Sequence, residues 1–422
     1  MANRELLSAS QRCMYMLMGC FLAITLTDSM LQVSGSTTSA AACFSGLFIF
    51  GDSLVETGNA AVAFPARFNK TTQQAALSGF GKAAVLAGTG VRFSDVGDFT
   101  ARALGLSPPS AYLNRNQSSQ LSTGTNFAVG GSTVLDDYPT GSLSDPNFLL
   151  TRTPFNLETQ IQWWRDLKSQ VNFKATDGQL PPVNESLHFV LMGATDYLLQ
   201  YSSNFSQHQV LASVPFIVNR IAKSLEELHV YGAQTVVAVN LPPLGCTSAF
   251  LSMFPGNSED YDAYGCLKTV NTAILRHNQK LFRAVSRLQR TYKSMSSFVY
   301  ADFYKSTYDI VENPEQFGYD KAALLKACCG VGETYNFSQT STCGGTWVSD
   351  DGVEDQVPAC GYPSSRLTWD GFHFSESVAR TAVMNFFQEK HVQPANGLVP
   401  NYCKPNFASF QQDDAVVPET EP

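Results

Sequence analysis

Charge is scarce in this chain. Asp, Glu, Lys and Arg make up 15% of its 422 residues, where about a quarter is usual for soluble domains. What charge there is leans acidic, with a formal net charge of −8 and no basic stripe. A nucleic-acid reader needs clustered Lys and Arg, so that class is excluded. No C-x-x-C pair occurs, which argues against a zinc ribbon or a thioredoxin-like site. No H-E-x-x-H, phosphate loop or G-x-G-x-x-G appears. The G-x-S-x-G turn that carries the nucleophile of common α/β-hydrolases is missing too. There is no repeat of fixed period and no long linker. Histidine is rare, with six in the chain, so few bases are available for proton transfer near neutral pH.

What is present begins at the N-terminus. Arg4 and Arg12 precede an apolar run over 13–26, and small residues follow down to Ser39-Ala40-Ala41-Ala42. Residues 1–42 therefore read as a signal peptide, and the run is too short and interrupted for a stable membrane span. Export would explain the low surface charge, because five sequons offer glycan acceptors at Asn69, Asn116, Asn184, Asn204 and Asn336. Of the ten cysteines, Cys13 and Cys20 fall in the leader. The eight that remain point to disulfides in an oxidising compartment. Cys246 and Cys266 make a loop-closing pair. Cys328, Cys329, Cys343 and Cys360 are further candidates of open connectivity, with Cys43 and Cys403 completing the set. The destination is extracellular, with the vacuole as the alternative, and a monomer is expected.

Between 47 and 387 short apolar runs alternate with amphipathic stretches. Runs at 47–50, 187–192, 235–240 and 297–301 are mostly apolar rather than alternating, as expected for parallel strands covered on both faces. Helical periodicity marks 157–167, 210–230, 269–292 and 375–387. Strand and helix in alternation predict a doubly wound α/β domain over 43–395, followed by an extension over 396–422 that ends in a disordered acidic tail. Ligands of such sheets bind beyond the carboxyl ends of the strands. Gly51-Asp52-Ser53, Gly193 to Asp196, Asn240 and Asp302 all fall there.

Ser53 directly follows a buried strand, so its hydroxyl can stand at the open edge of the sheet. An N-cap serine is the plainer reading. A serine nucleophile needs a base, and His373 is the best one. In Trp369-Asp370-Gly371-Phe372-His373 an aspartate precedes it by three residues. If Asp370 opens a helical turn, that spacing sets the carboxylate beside the ring. The carboxylate would then fix the tautomer and favour the imidazolium. Glu376 is a second carboxylate near the same histidine, and Asp302 and Asp196 are rival acids. An Asp cap with a histidine at a helix start is the structural alternative. His188 reads as a core residue. His229 and His277 lie on helices with charged neighbours, His208 in a polar loop and His391 near the end. Gly130 could offer a backbone N–H to an oxyanion, and Thr195 its hydroxyl.

At these residues the chain resembles the GDSL esterase/lipase family of the SGNH hydrolase type, and its plant members above all. Four ordered blocks carry the resemblance. The first is Phe50-Gly51-Asp52-Ser53-Leu54-Val55-Glu56-Thr57-Gly58-Asn59, and the second is Asn126-Phe127-Ala128-Val129-Gly130-Gly131. Gly193-Ala194-Thr195-Asp196 and Asp370-Gly371-Phe372-His373 complete them. Leu241-Pro242-Pro243-Leu244-Gly245-Cys246 and Ala327-Cys328-Cys329-Gly330 are similar to the plant branch. The resemblance implies a three-layer flavodoxin-like fold with a central parallel sheet. It implies Ser53 as nucleophile, His373 as base and Asp370 as orienting acid. Its oxyanion donors would be the Ser53 N–H, the Gly130 N–H and the side chain at 195. No metal or organic cofactor is implied.

One position departs from the family pattern. The third block usually reads Gly-x-Asn-Asp, and here Thr195 stands in place of the Asn. A threonine hydroxyl donates one hydrogen bond from a shorter side chain. Three functions follow as expectations: a secreted ester hydrolase working through an acyl-serine, an acyl transferase using the same intermediate, or a weak or inactive binding glycoprotein. Small-molecule and polymer-borne esters are both compatible substrates.

Overall fold

The computed structural model describes residues 43–64, 94–114, 123–136, 153–171, 181–294, 297–332, 334–349, 351–398, 404–408 and 410. Asn69, Asn116, Cys403, residues 1–42, which the sequence predicts to be a leader, and residues 411–422 lie outside the described residues.

The sheet forms where the apolar runs lie. Its strands are β1 (Gly46–Gly51), β2 (Gly124–Asn126), β3 (Ser186–Leu191), β4 (Thr235–Val239) and β5 (Phe298–Ala301). Two short strands, β6 (Thr346–Val348) and β7 (Glu354–Gln356), pair as a separate exposed hairpin, and β8 (Val392–Gln393) returns to the main sheet. Main-sheet order is β2-β1-β3-β4-β5-β8, parallel except for the antiparallel edge β8. Every residue of β1 and β3 is buried, which is why neither strand alternates in polarity.

The described helices are α1 (Asn59–Ala63), α2 (Val96–Ala103), α3 (Leu157–Val171), α4 (Ala194–Ser202), α5 (Gln207–Val230), α6 (Ser248–Met253), α7 (Lys268–Thr291), α8 (Phe303–Glu312) and α9 (Glu376–Phe387). They pack in two sets. α3, α5 and α7 lie side by side against β1, β4 and β5, while α9 contacts both α2 and α8. The order explains the division. The chain steps from β1 to β2 in one direction, then crosses back over β1 to β3 and onward in the other. Right-handed crossovers place α2, on the step to β2, and α3, α5 and α7, on the steps onward to β5, on opposite faces; α8 and α9 follow β5 and lead to the antiparallel β8, which that rule does not govern. The result is the flavodoxin-like three-layer order, whose switch point falls between β1 and β3.

Two histidines show how the core treats such residues. His188 lies on β3 with its ring stacked 5.0 Å from Phe48 and edge-on at 5.4 Å to Trp164. Burial pushes its pKa down to about 3, so it stays neutral. His277 does not sit among its charged sequence neighbours. It is fully buried on α7, on the stripe it shares with Ile274 and Leu281, and its Nδ1 lies 3.0 Å from the Tyr197 hydroxyl. Burial likewise pushes it down to about 3.

Candidate active site

The turn after β1 is built around Asp52, which is fully buried. Its Oδ1 accepts from Leu54 N–H at 3.1 Å. Its Oδ2 accepts from the first N–H groups of α4 and its cap: Gly193 at 3.2 Å, Ala194 at 2.9 Å and Thr195 at 3.4 Å. A carboxylate suits a helix N-terminus, where the orphan donors and the helix dipole both favour negative charge. Asp52 thus ties the first block to the third across the switch point. Gly193 makes the entry possible, because its φ of +119° is costly for any residue with a Cβ.

The second block is held as tightly. Asn59 Nδ2 donates to Asn126 O at 2.9 Å and Ala128 O at 2.8 Å. Asn126 Nδ2 donates to Val55 O at 2.6 Å. Gln160, on α3, pairs with both backbone groups of Gly51, accepting at 2.9 Å and donating at 2.8 Å. These buried amides were not singled out from sequence. Their signal was available: Asn and Gln set inside otherwise apolar blocks need partners.

Ser53 is half-buried in this turn and caps no helix, since the next one starts at Asn59. Neither its N–H nor its hydroxyl is engaged by the described residues. Gly130 is its neighbour: a Cβ placed there would stand 3.7 Å from Ser53 Cβ. The Gly130 N–H is not vacant at rest, because it donates to Glu56 Oε2 at 3.2 Å. Thr195 is buried, and its backbone N–H faces Asp52, while its hydroxyl has no partner among the described residues.

The Asp370–His373 segment is not a helical turn. It is a tight bend closed by a bridge between Thr368 and Phe374, and α9 starts only at Glu376. The same three-residue spacing still brings the groups together. Asp370 Oδ1 accepts from the Phe372 N–H at 3.0 Å and the His373 N–H at 2.8 Å. Its Oδ2 lies 2.6 Å from His373 Nδ1. Burial pushes the Asp370 carboxyl up. The His373 charge and ring bond, with the His373 and Phe372 N–H groups, outweigh it and hold the carboxyl below its usual range. His373 Nε2 is buried and has no hydrogen-bond partner among the described residues. His373 lines one small crevice with Leu54, Val96, Phe303 and Phe374, which joins the first and last blocks.

The other acids are committed elsewhere. Glu376 accepts from Ser94 N–H and so links α9 to the start of α2. Asp302 caps α8, accepting from Lys305 N–H at 2.8 Å. Asp196 accepts from Val134 N–H at 2.8 Å and Leu135 N–H at 3.1 Å, pinning the loop after Gly131. Among the described residues, no three His, Cys, Asp or Glu side chains are placed to hold a metal ion.

Disulfides brace the bend from behind. Cys246 pairs with Cys266, Cys328 with Cys360 and Cys329 with Cys343, and Cys43 is also disulfide-bonded. The Cys328 N–H donates to Thr368 O at 3.1 Å and the Cys329 N–H to Trp369 O at 2.6 Å. Trp369, next to Asp370, is packed in a small core with Cys328, Cys329 and Val357.

Known proteins similar to this chain identify its family. A family profile described as GDSL-like Lipase/Acylhydrolase matches residues 47–386. The chain belongs to the GDSL lipase/acylhydrolase family. A protein of Hevea brasiliensis named esterase is 31% identical over 84% of this chain and 88% of its own length. A GDSL esterase/lipase of Medicago truncatula is 32% identical over 79% and 84%. A Brassica napus relative named sinapine esterase is 28% identical over 83% and 87%. The GDSL enzyme described here is an ester-bond hydrolase.

Gly371 tests how much that enzyme depends on its bend. Its φ is +94°, and a Cβ there would stand 2.4 Å from Phe337 Cδ2. Gly371→Ala should shift the bend and, if the bend carries reacting groups, lower kcat about 10–100-fold, the scale of small misplacements of such groups. Thermal unfolding with ester turnover checks it, and unchanged kcat would show that the bend tolerates the shift.

Proposed function

We propose that Ser53 is the nucleophile of a secreted carboxylic-ester hydrolase, with His373 as its base and Asp370 as the acid that orients the base. The observation that carries this is the His373 ring. One nitrogen is held by a carboxylate at 2.6 Å, and the other has no partner among the described residues, in a crevice shared with the residue after Ser53. A ring held in that way can accept the serine proton as the hydroxyl attacks an acyl carbonyl. The Asp370 carboxylate then stabilises the imidazolium. The proton passes to the leaving alcohol, and water, deprotonated by the same ring, releases the acid from acyl-Ser53. The Ser53 N–H, the Gly130 N–H and the Thr195 hydroxyl serve the tetrahedral oxyanion.

In this reading residues 1–42 are the leader, 43–395 the single catalytic domain and 396–422 an extension. The enzyme works as a glycosylated monomer. Asn184 and Asn204 are exposed as acceptors should be, and Asn336 is half-buried with its amide on Ala327 O at 2.9 Å. Among the described residues no helix is long and apolar enough to cross a membrane.

The test is turnover of nitrophenyl esters of rising acyl length, with and without candidate alcohols. Free acid in every mixture supports hydrolysis, and a new ester whenever an alcohol is present would make the enzyme an acyl transferase. Thr195→Ala should slow turnover by roughly tenfold to a few hundredfold, approaching the usual loss for one oxyanion donor. Thr195→Asn should match or exceed the wild type. Unchanged kcat in Thr195→Ala would remove Thr195 from the donor set.

A further inference from the structure

We infer that Glu56 is a resting-state acceptor on the Gly130 donor, which the substrate must displace, and that its carboxylate holds the reaction rate down. The inference rests on the reading of Ser53 as nucleophile and Gly130 as oxyanion donor.

A backbone amide has one hydrogen to give. At rest Gly130 gives it to Glu56 Oε2 at 3.2 Å. An acceptor at that distance stands where the carbonyl oxygen of a reacting ester would have to stand. The carboxylate is also close to the reacting atoms. A Cβ on Gly130 would lie 3.7 Å from Ser53 Cβ and 3.9 Å from Glu56 Cδ, so nucleophile and carboxylate flank the same glycine. Glu56 is 5% exposed, which leaves little solvent to screen it. Catalysis then meets two obstacles: the donor is taken, and a negative group sits beside the place where negative charge develops. Both act most strongly where water is excluded.

The same oxygen provides the way out. Glu56 Oε2 also accepts from the Ala60 N–H at 3.0 Å. The carboxylate can keep that bond when it yields Gly130 to the substrate. The link is also local in sequence: the turn that presents Ser53 carries Glu56 three residues on, so the acid is placed by the same backbone. A purely structural role would be to tie α1 to the loop at Gly130. A glutamine of the same shape keeps an acceptor oxygen for these two N–H groups, so the tie between α1 and Gly130 does not itself need the charge.

Glu56→Gln separates the two. A charged hydrogen bond is roughly twice as strong as a neutral one, so removing the charge should raise kcat about three- to tenfold with KM nearly unchanged. Labelling of Ser53 by a fluorophosphonate should accelerate by a similar factor. An unchanged or lower kcat at an unaltered melting temperature overturns the inference. A second measurement needs no variant. In a crystal structure of the wild-type enzyme phosphonylated on Ser53, the Gly130 N–H should point at the phosphonyl oxygen, with Glu56 moved off it. Glu56 still bonded to Gly130 in that adduct would overturn the inference. If Ser53 takes no phosphonyl group at all, the reading beneath it has failed instead.

Discussion

Ser53→Ala is expected to reduce ester turnover by about 10⁴–10⁶-fold, leaving only the small acceleration that binding and the oxyanion donors supply alone. The same change should hardly touch stability. Ser53 engages none of the described residues through its hydroxyl and is only half-buried, and substitutions away from packed or hydrogen-bonded features cost within about 0.5 kcal/mol. A helix-capping serine would behave in the opposite way, with about 1 kcal/mol lost and turnover kept. The paired measurement of kcat and unfolding free energy therefore separates a nucleophile from a structural serine.

Asp370→Asn should lower kcat by about 10³–10⁴-fold. The asparagine oxygen can still accept from the Phe372 and His373 N–H groups, so the bend survives. What is lost is the charge that stabilises the imidazolium and the acceptor that fixes the ring tautomer. Stability should respond in a pH-dependent way. The folded Asp370 carboxyl lies below its ordinary range because the His373 interactions outweigh the cost of burial. A depressed carboxyl contributes stability above its unfolded pKa of about 3.9, and that contribution is lost as pH falls through the lower folded value. The stability gap between wild type and Asp370→Asn should thus be widest above that range and close on acidification. A gap that widens in acid would mean that the carboxylate is not stabilised by its neighbours.

The main parallel strands were legible because burial on both faces leaves long apolar runs. β2 was not: it has three residues, and Gly124 lies so close to Leu47 that a Cβ would meet its carbonyl oxygen at 1.9 Å. Backbone pairing defines that strand, and hydrophobicity does not report it. β8 has two residues and is fixed by its pairing with Tyr300 and Ala301. In the site, Asp370 and His373 were legible as a pair because a three-residue spacing suits both a helical turn and a tight bend. The spacing could not say which, and the bend is selected by the Thr368–Phe374 bridge and the disulfides behind it. Asp52 and Glu56 stood in the opening block without a reading of their own. Their partners, the α4 N-terminus and Gly130, are distant in sequence, and only the fold brings them within reach. His277 lies on its helix beside charged sequence neighbours, but those point to other faces, and it shares the buried stripe of Ile274 and Leu281.

Ser53 is the residue proposed to carry the acyl group. Reacting the enzyme with a fluorophosphonate and mapping the added mass by peptide sequencing tests it directly. One equivalent should be found on Ser53, absent after Ser53→Ala and slowed strongly in Asp370→Asn and in a His373→Ala variant. Modification at another residue, or labelling that persists in Ser53→Ala, would contradict it.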